Sequence, residues 1–303
     1  MEPYEQYSFG SLLPLSQLVD SRPCPRDTRT FEFVRWSRVV SFSCALGATL
    51  PRAFLVDEQV RSHLELKYRP DGVESDSINY HQWSQWQLLD SFLPTGGFAH
   101  SYGLEAAIQS CFVVGLEDLR FYTRSVLDNT GSLLLPFVHA ATKSPNFEAW
   151  LKLDRLLEAT LTNEISRKAS SSQGSALMRI AASIFLEIPS LKKIRESALI
   201  SGNCQFHHAT VFGLVCGLLG FGSEFSQRAY MYMATRDILS AATRLNLIGP
   251  IGAAILQHQM GGDAEKLVKK WMNRHVEDAC QTTPLLDIIQ GSHGYLCSRL
   301  FSS

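Results

Sequence analysis

Apolar side chains recur at spacings of three and four residues through most of the chain from Trp83 onward, and glycine or proline breaks the pattern at short intervals. That period belongs to a helix with one buried face, whereas a half-buried strand alternates every second residue. Leu116 to Leu127 carries the pattern in Leu119, Tyr122, Thr123 and Val126, and Phe147 to Leu161 carries it in Trp150, Leu153, Leu157 and Leu161. A short stripe of Trp86, Leu89, Phe92 and Leu93 comes first, and Leu104 to Ile108 starts another helix. Further helices are predicted from Ile165 through Phe185 after Asn163, and from Ser190 to the break at Gly202. A strongly apolar helix follows from about His207 to Leu219, and its lack of a polar face places it at the bundle centre. Ser223 and Ser226 are read as caps of a long helix to about Leu247, stopped by Gly249-Pro250. Asp263 is read as the cap of a basic amphipathic helix ending near Cys280. With no credible strand pattern after residue 83 and no repeat, the fold class is all-α. The expectation is a compact multi-helix bundle over residues 83–303, ending in an irregular tail from Thr283 with one short helix.

Residues 1–82 differ in character. They hold Pro-Cys-Pro at 23–25, scattered arginines and no sustained helical stripe, so a poorly ordered or weakly structured N-terminal extension is expected. Its β-prone piece, Phe31 to Cys44, alternates imperfectly.

The sharpest local signal lies between Leu88 and Glu105. Pro94 disfavours helix at Leu93 and removes one backbone donor, while Gly96 and Gly97 permit a positive φ or the close approach of another backbone. A tight corner between two helices follows. It gathers Asp90, His100 and Glu105, residue types able to bind a divalent transition metal. The structural alternative is that Asp90 caps a turn, His100 sits beside it and Glu105 pairs in the first helical turn. Both readings stay open.

Several function classes are excluded by what is missing. A nucleotide hydrolase needs a glycine-rich loop ending in Gly-Lys-Ser/Thr, a zincin needs two histidines four apart with a glutamate between, and a serine hydrolase needs Gly-x-Ser-x-Gly. None of these occurs. Cys204-x-x-His207 is half of a zinc site without a second pair, and reads as a buried thiol with a hydrogen-bonded histidine at a helix start. Net charge is −1 with dispersed lysines and arginines, which gives no field for nucleic acid or anionic lipid. The longest apolar run, Val211 to Phe221, is too short to cross a bilayer. Seven scattered cysteines with no C-x-x-C pair fit a reducing compartment, and the N-terminus has neither signal nor transit character, so the cytoplasm is expected.

Asp90, Ser91, Pro94, Gly96, Gly97, Phe98, Ser101, Gly103, Leu104 and Glu105 match the N-terminal signature of the UreF family of urease accessory proteins. The resemblance continues through Asn129 to Phe137, Arg167-Lys168-Ala169, Ser172 to Leu177, Ser240 to Pro250 and Ser298-Arg299-Leu300-Phe301, in the form found in plants. It spans about residues 83–303 and does not reach the N-terminal extension. The resemblance implies a non-catalytic helical homodimer that links UreD to the GTPase UreG and to the urease apoprotein, regulates the GTPase cycle and assists nickel insertion. Nickel is then handled transiently by the complex, with no stably bound cofactor in this chain. Arg228 and Tyr232, four apart on the long helix, are implied as dimer contacts, with Tyr230 and Arg244 on the same helix as further contact residues. His293, Arg299, Leu300 and Phe301 are implied to meet UreD, and Pro94, Gly96, Gly97, Phe98 and Glu105 form a shaped contact surface. Two rivals remain at this point: a metal-dependent hydrolase using Asp90, His100, Glu105 and His207, and a helical scaffold unrelated to nickel.

Overall fold

Helix starts in this chain are marked by side chains that take over unpaired backbone donors. Asn146 Oδ1 accepts from the Ala149 amide at 2.9 Å, and Asn163 Oδ1 accepts from the amides of Ile165 and Ser166 at 2.9 and 3.3 Å. Asp118 Oδ2 reaches back to the amides of Val114 and Gly115 at 3.0 and 3.1 Å. Pro136, Pro189, Pro250 and Pro284 stand in first turns, where their missing donor costs nothing.

The computed structural model describes residues 77–303, with side chains from His81. The reading of residues 1–76, including the β-prone piece, lies outside the described residues. Eleven α-helices and three short 3₁₀ turns, with no strand, make up the described part. In order they are α1 (Ser77–Leu89), a 3₁₀ turn (Gly97–Ala99), α2 (Leu104–Gln109), α3 (Leu116–Leu133), α4 (Leu135–Lys143) and α5 (Phe147–Thr160). Then come α6 (Glu164–Ile184), α7 (Pro189–Ser201), α8 (His208–Leu218), α9 (Ser223–Arg244) and α10 (Pro250–Trp271). A 3₁₀ turn (Val276–Asp278), α11 (Pro284–Ser292) and a last 3₁₀ turn (His293–Tyr295) complete the order. None of these helices is long and apolar enough to cross a membrane.

The apolar helix α8 is the centre, as its sequence demands: every residue from His208 to Cys216 is buried. Two glycines let it approach α4 backbone to backbone. A Cβ on Gly213 would lie 2.5 Å from the Val138 carbonyl oxygen, and one on Gly217 would lie 2.6 Å from that of Thr142. On its other side, the loop into α8 presses on α6, where a Cβ on Gly174 would fall 1.8 Å from the Phe206 carbonyl oxygen. Helices α9, α4 and α6 surround α8, and α10 lies across α9 and α3.

Four expectations are corrected. The predicted stripe on the first helix holds only in part: Leu89 and Leu93 pack against the core, but Trp86 and Phe92 are exposed, and Ser84 and Leu88 are the fully buried residues. The reason is that Asp90 Oδ1 takes the Phe92 amide at 2.9 Å in a side-chain turn, ending the helix before Phe92. The helix also begins earlier than residue 83, at Ser77. Asp263 caps nothing, because α10 runs unbroken from Pro250 through Gly261 and Gly262 to Trp271. Buried Leu256, Met260, Leu267 and Val268 on both sides outweigh the roughly 1 kcal/mol helix cost of each glycine. Ser223 and Ser226 make no side-chain cap, and α9 starts after Gly222.

Gly262 gives a simple check. It is exposed and a Cβ there meets no atom within 4 Å. Gly262→Ala is expected to raise the unfolding free energy by about 0.5–1 kcal/mol, read from the midpoint of a urea titration.

Candidate functional site

The corner forms because its two glycines perform different tasks. Gly96 holds φ +79°, a left-handed conformation with no Cβ penalty for glycine. Gly97 instead gives close approach: a Cβ on it would stand 2.7 Å from Asp237 Oδ2 on α9. Gly103, also at φ +79°, starts α2, and a Cβ there would meet Gln290 Cγ at 2.6 Å and the Tyr122 hydroxyl at 3.0 Å. The corner is therefore pressed between α9, α3 and α11.

Two arginines of α9 hold it in place. Arg236 donates from Nη1 to the Leu89 carbonyl at 2.6 Å, pairs with Asp237 Oδ1 at 2.8 Å and lies 5.1 Å from the Phe98 ring centre. Burial pushes the Asp237 carboxyl above its ordinary range, opposed by the Arg236 guanidinium beside it. Arg244 donates to the Phe98 carbonyl and lies 4.4 Å from the Phe301 ring centre.

The C-terminal segment folds back onto this corner, and Glu105 is the residue that holds it. The buried Glu105 carboxylate accepts from the backbone amides of Leu300 at 2.6 Å and Phe301 at 3.1 Å, and from His293 Nε2 at 3.0 Å. Around it, the Ser302 amide donates to the Ala99 carbonyl at 2.8 Å and the Ser101 amide to the Ser303 carbonyl oxygen at 2.7 Å. His100 Nδ1 pairs with Ser303 Oγ at 2.6 Å. Corner and tail thus form one surface, although nothing in the local sequence of Glu105 announces a partner so far along the chain.

Asp90, His100 and Glu105 do not converge. Asp90 is exposed in its own turn, His100 is buried against Ser303, and Glu105 faces His293. His207 lies elsewhere, at the start of α8, with Nε2 at 2.8 Å from Glu158 and Nδ1 at 3.2 Å from Ser170 Oγ. No group of three or more His, Cys, Asp or Glu able to hold a metal ion is found among the described residues. Cys204 is only partly buried, not the buried thiol expected, whereas His207 is the expected hydrogen-bonded histidine at a helix start.

The remaining contact candidates separate into buried and exposed. Tyr230 is not a surface residue; it packs against His208 and Phe212 with ring centres 5.3 and 5.5 Å apart. His293 and Phe301 are also buried, within the corner–tail surface. Pro94, Arg244, Arg299 and Leu300 are exposed, and Phe98 is partly so. Arg228 and the exposed Tyr232 line a groove of about 460 Å³ between α9 and α10. Arg228 spans that groove to Glu265 at 3.1 Å and pairs with Glu224 at 3.2 Å.

Burial sets a pH response. It lowers the imidazoles of His100 and His208 to about 4 each, helped by the neighbouring His293 and His100 respectively. Unfolded histidines titrate near 6.5, so between pH 6.5 and 4 the unfolded chain binds more protons, and stability falls as pH falls. Asp237, raised by burial, has the opposite sign, its contribution growing as pH falls. The unfolding free energy is expected to drop by about 2–4 kcal/mol from pH 7 to pH 5, measured by denaturant titration at each pH.

What the fold and site define is an all-helical protein whose C-terminal segment is clasped onto a glycine corner to make a composite surface. The UreF family model matches residues 113–261. Urease accessory protein F of Arabidopsis thaliana is 62% identical over 240 residues, covering 79% of this chain and all of that protein. Urease accessory protein F of Oryza sativa subsp. indica is 62% identical over 238 residues, covering 78% of this chain and 90% of that protein. The cyanobacterial Trichodesmium erythraeum UreF is 28% identical over 226 residues, covering 73% of this chain and 97% of its own. The chain belongs to the UreF family of urease accessory proteins.

Proposed function

We propose that this chain is a non-catalytic adaptor of urease maturation, which links UreD to the GTPase UreG and to the urease apoprotein while nickel passes to the enzyme. The observation that carries this reading is the 62% identity across the whole length of the Arabidopsis urease accessory protein F. The clasped corner and tail support it, because they offer a pre-ordered surface that a partner meets without the entropy cost of ordering a free chain end. The composite of Glu105, Leu300 and Phe301 is the UreD contact in this reading, and the groove at Arg228 and Tyr232 is the contact between two copies of the chain. UreG supplies the nucleotide chemistry, and this chain regulates its cycle through different affinities for its states. Nickel is cargo, and the adaptor works in the cytoplasm.

Urease activation in cells lacking the chain tests the reading. Resupplying the full chain is expected to restore nickel-loaded, active urease and co-purification with UreD and UreG. Gly97→Val forces the corner away from Asp237, an overpacking cost of about 1–3 kcal/mol, so activation is expected to fall by about 10- to 100-fold. Thermal melting of the variant distinguishes a displaced corner from an unfolded chain. Urease that becomes nickel-loaded and active at normal nickel supply without the chain would overturn the proposal.

A further inference from the structure

Behind the corner lies a partly open cavity of about 120 Å³ lined by residues of α3, α6, α8, α9, α11 and the C-terminal segment. Its lining mixes apolar side chains, Val126, Leu133, Leu161 and Leu286 among them, with polar ones. Gln173, His208 and Tyr230 each lie nine-tenths or more buried, and their side chains make no hydrogen bond to the described residues. All three line the cavity, and their polar atoms are not fully covered by neighbouring side chains. A buried amide, imidazole and phenol without partners would cost about 1–3 kcal/mol each if the space stayed empty. A space of this size has room for several water molecules and is polar enough to hold them.

The charge of the walls limits what else fits. Burial keeps the imidazoles of His100 and His208 uncharged at neutral pH and the Tyr230 phenol protonated. Asp287 presents the carboxylate on the wall, and its Oδ2 already accepts from the Thr162 hydroxyl at 2.8 Å. A charged guest would therefore surrender its hydration to walls with little compensating charge. A neutral guest with both a donor and an acceptor would satisfy the amide, imidazole and phenol together.

We propose that this cavity is a binding site for a small uncharged molecule of the amide or alcohol class, held by Gln173, His208 and Tyr230 and walled by the C-terminal segment. The site is independent of the adaptor reading, since none of these three residues serves a partner contact in it. Water occupies it when no guest is present, and a guest exchanges with that water.

Acetamide is a suitable probe, followed by amide chemical shifts of the full chain in solution, with benzene as an apolar comparison and tetramethylammonium as a charged one. Acetamide is expected to shift the resonances of Gly103, Val126 and Thr130 with millimolar affinity, within the ceiling for a molecule of its size. Gln173→Leu and Tyr230→Phe are each expected to weaken it by roughly tenfold, the loss of one good hydrogen bond. Tyr230→Phe removes one oxygen and keeps the ring packing, so it remains informative where Gln173→Leu perturbs folding. Absence of shifts around the cavity, tighter binding of benzene or tetramethylammonium, or undiminished acetamide binding by Tyr230→Phe would each overturn the proposal.

Discussion

Replacing Asp154 with alanine is expected to lower the unfolding free energy by about 3–5 kcal/mol, the largest effect of any single substitution considered for this chain. Asp154 lies on α5 and is fully buried. Its Oδ2 accepts from the amides of Gln205 and Phe206 at 2.7 and 3.1 Å, and its Oδ1 from the amide of His207 at 2.7 Å and the hydroxyl of Thr210 at 3.1 Å. One carboxylate thus satisfies the chain entering the central helix, and its negative charge faces the positive end of that helix dipole. Alanine leaves the buried His207 amide and the part-buried amides of Gln205 and Phe206 without that acceptor. Asparagine keeps one acceptor oxygen and should lose less. Guanidinium denaturation with an unchanged slope is the measurement. A loss below about 1 kcal/mol would mean that water replaces the carboxylate, and the account of this joint would fail.

Glu105→Ala is expected to act locally but with more consequence for function. It removes the acceptor of the Leu300 and Phe301 amides and of His293. Because the tail can open while the bundle stays folded, global stability should change little compared with the tail's own opening free energy. That opening free energy is expected to fall by about 2–4 kcal/mol, read as faster hydrogen exchange at the Leu300 and Phe301 amides. In the adaptor reading, urease activation should fall with it, since a disordered tail must be ordered again when its partner binds. Glu105→Gln, which keeps one carbonyl acceptor, should recover part of both effects. Unchanged exchange in the alanine variant would remove Glu105 from its role as the clasp.

The two substitutions also mark where the sequence stops being readable. That α8 would be central followed from its composition, and that a helix would start near His207 followed from periodicity. That Asp154 would hold the chain entering α8 did not, because the acidic residue sits on a different helix, on the buried face of an otherwise ordinary amphipathic pattern. Glu105 was singled out as a first-turn residue of α2, and it is one. Its partners at Leu300 and Phe301 came only with the fold. Tyr230 differs in part: two residues from both Arg228 and Tyr232, it falls about 200° around the helix from the groove they line, so helical geometry already sets it on another face, and only the fold made that face the core. The misread helix start at Asp263 had another cause. Two adjacent glycines look like a break, but packing on both sides carried α10 through them.

By itself the sequence determined the all-α class, most helix spans, the tight corner at Pro94 to Gly97 and the family. These depend on interactions between near neighbours, namely the 3.6-residue period, the fixed φ of proline and the open φ of glycine, and each of those leaves a pattern in adjacent letters. Only the tertiary structure decided that Gly97 rests on Asp237, that Asp154 holds the chain entering α8, that Glu105 clasps the tail, and that Gln173, His208 and Tyr230 line one cavity. Those pairings join residues far apart in the chain. Hydrogen bonds and contact surfaces of that kind are chosen by three-dimensional proximity, for which a single sequence carries no local period.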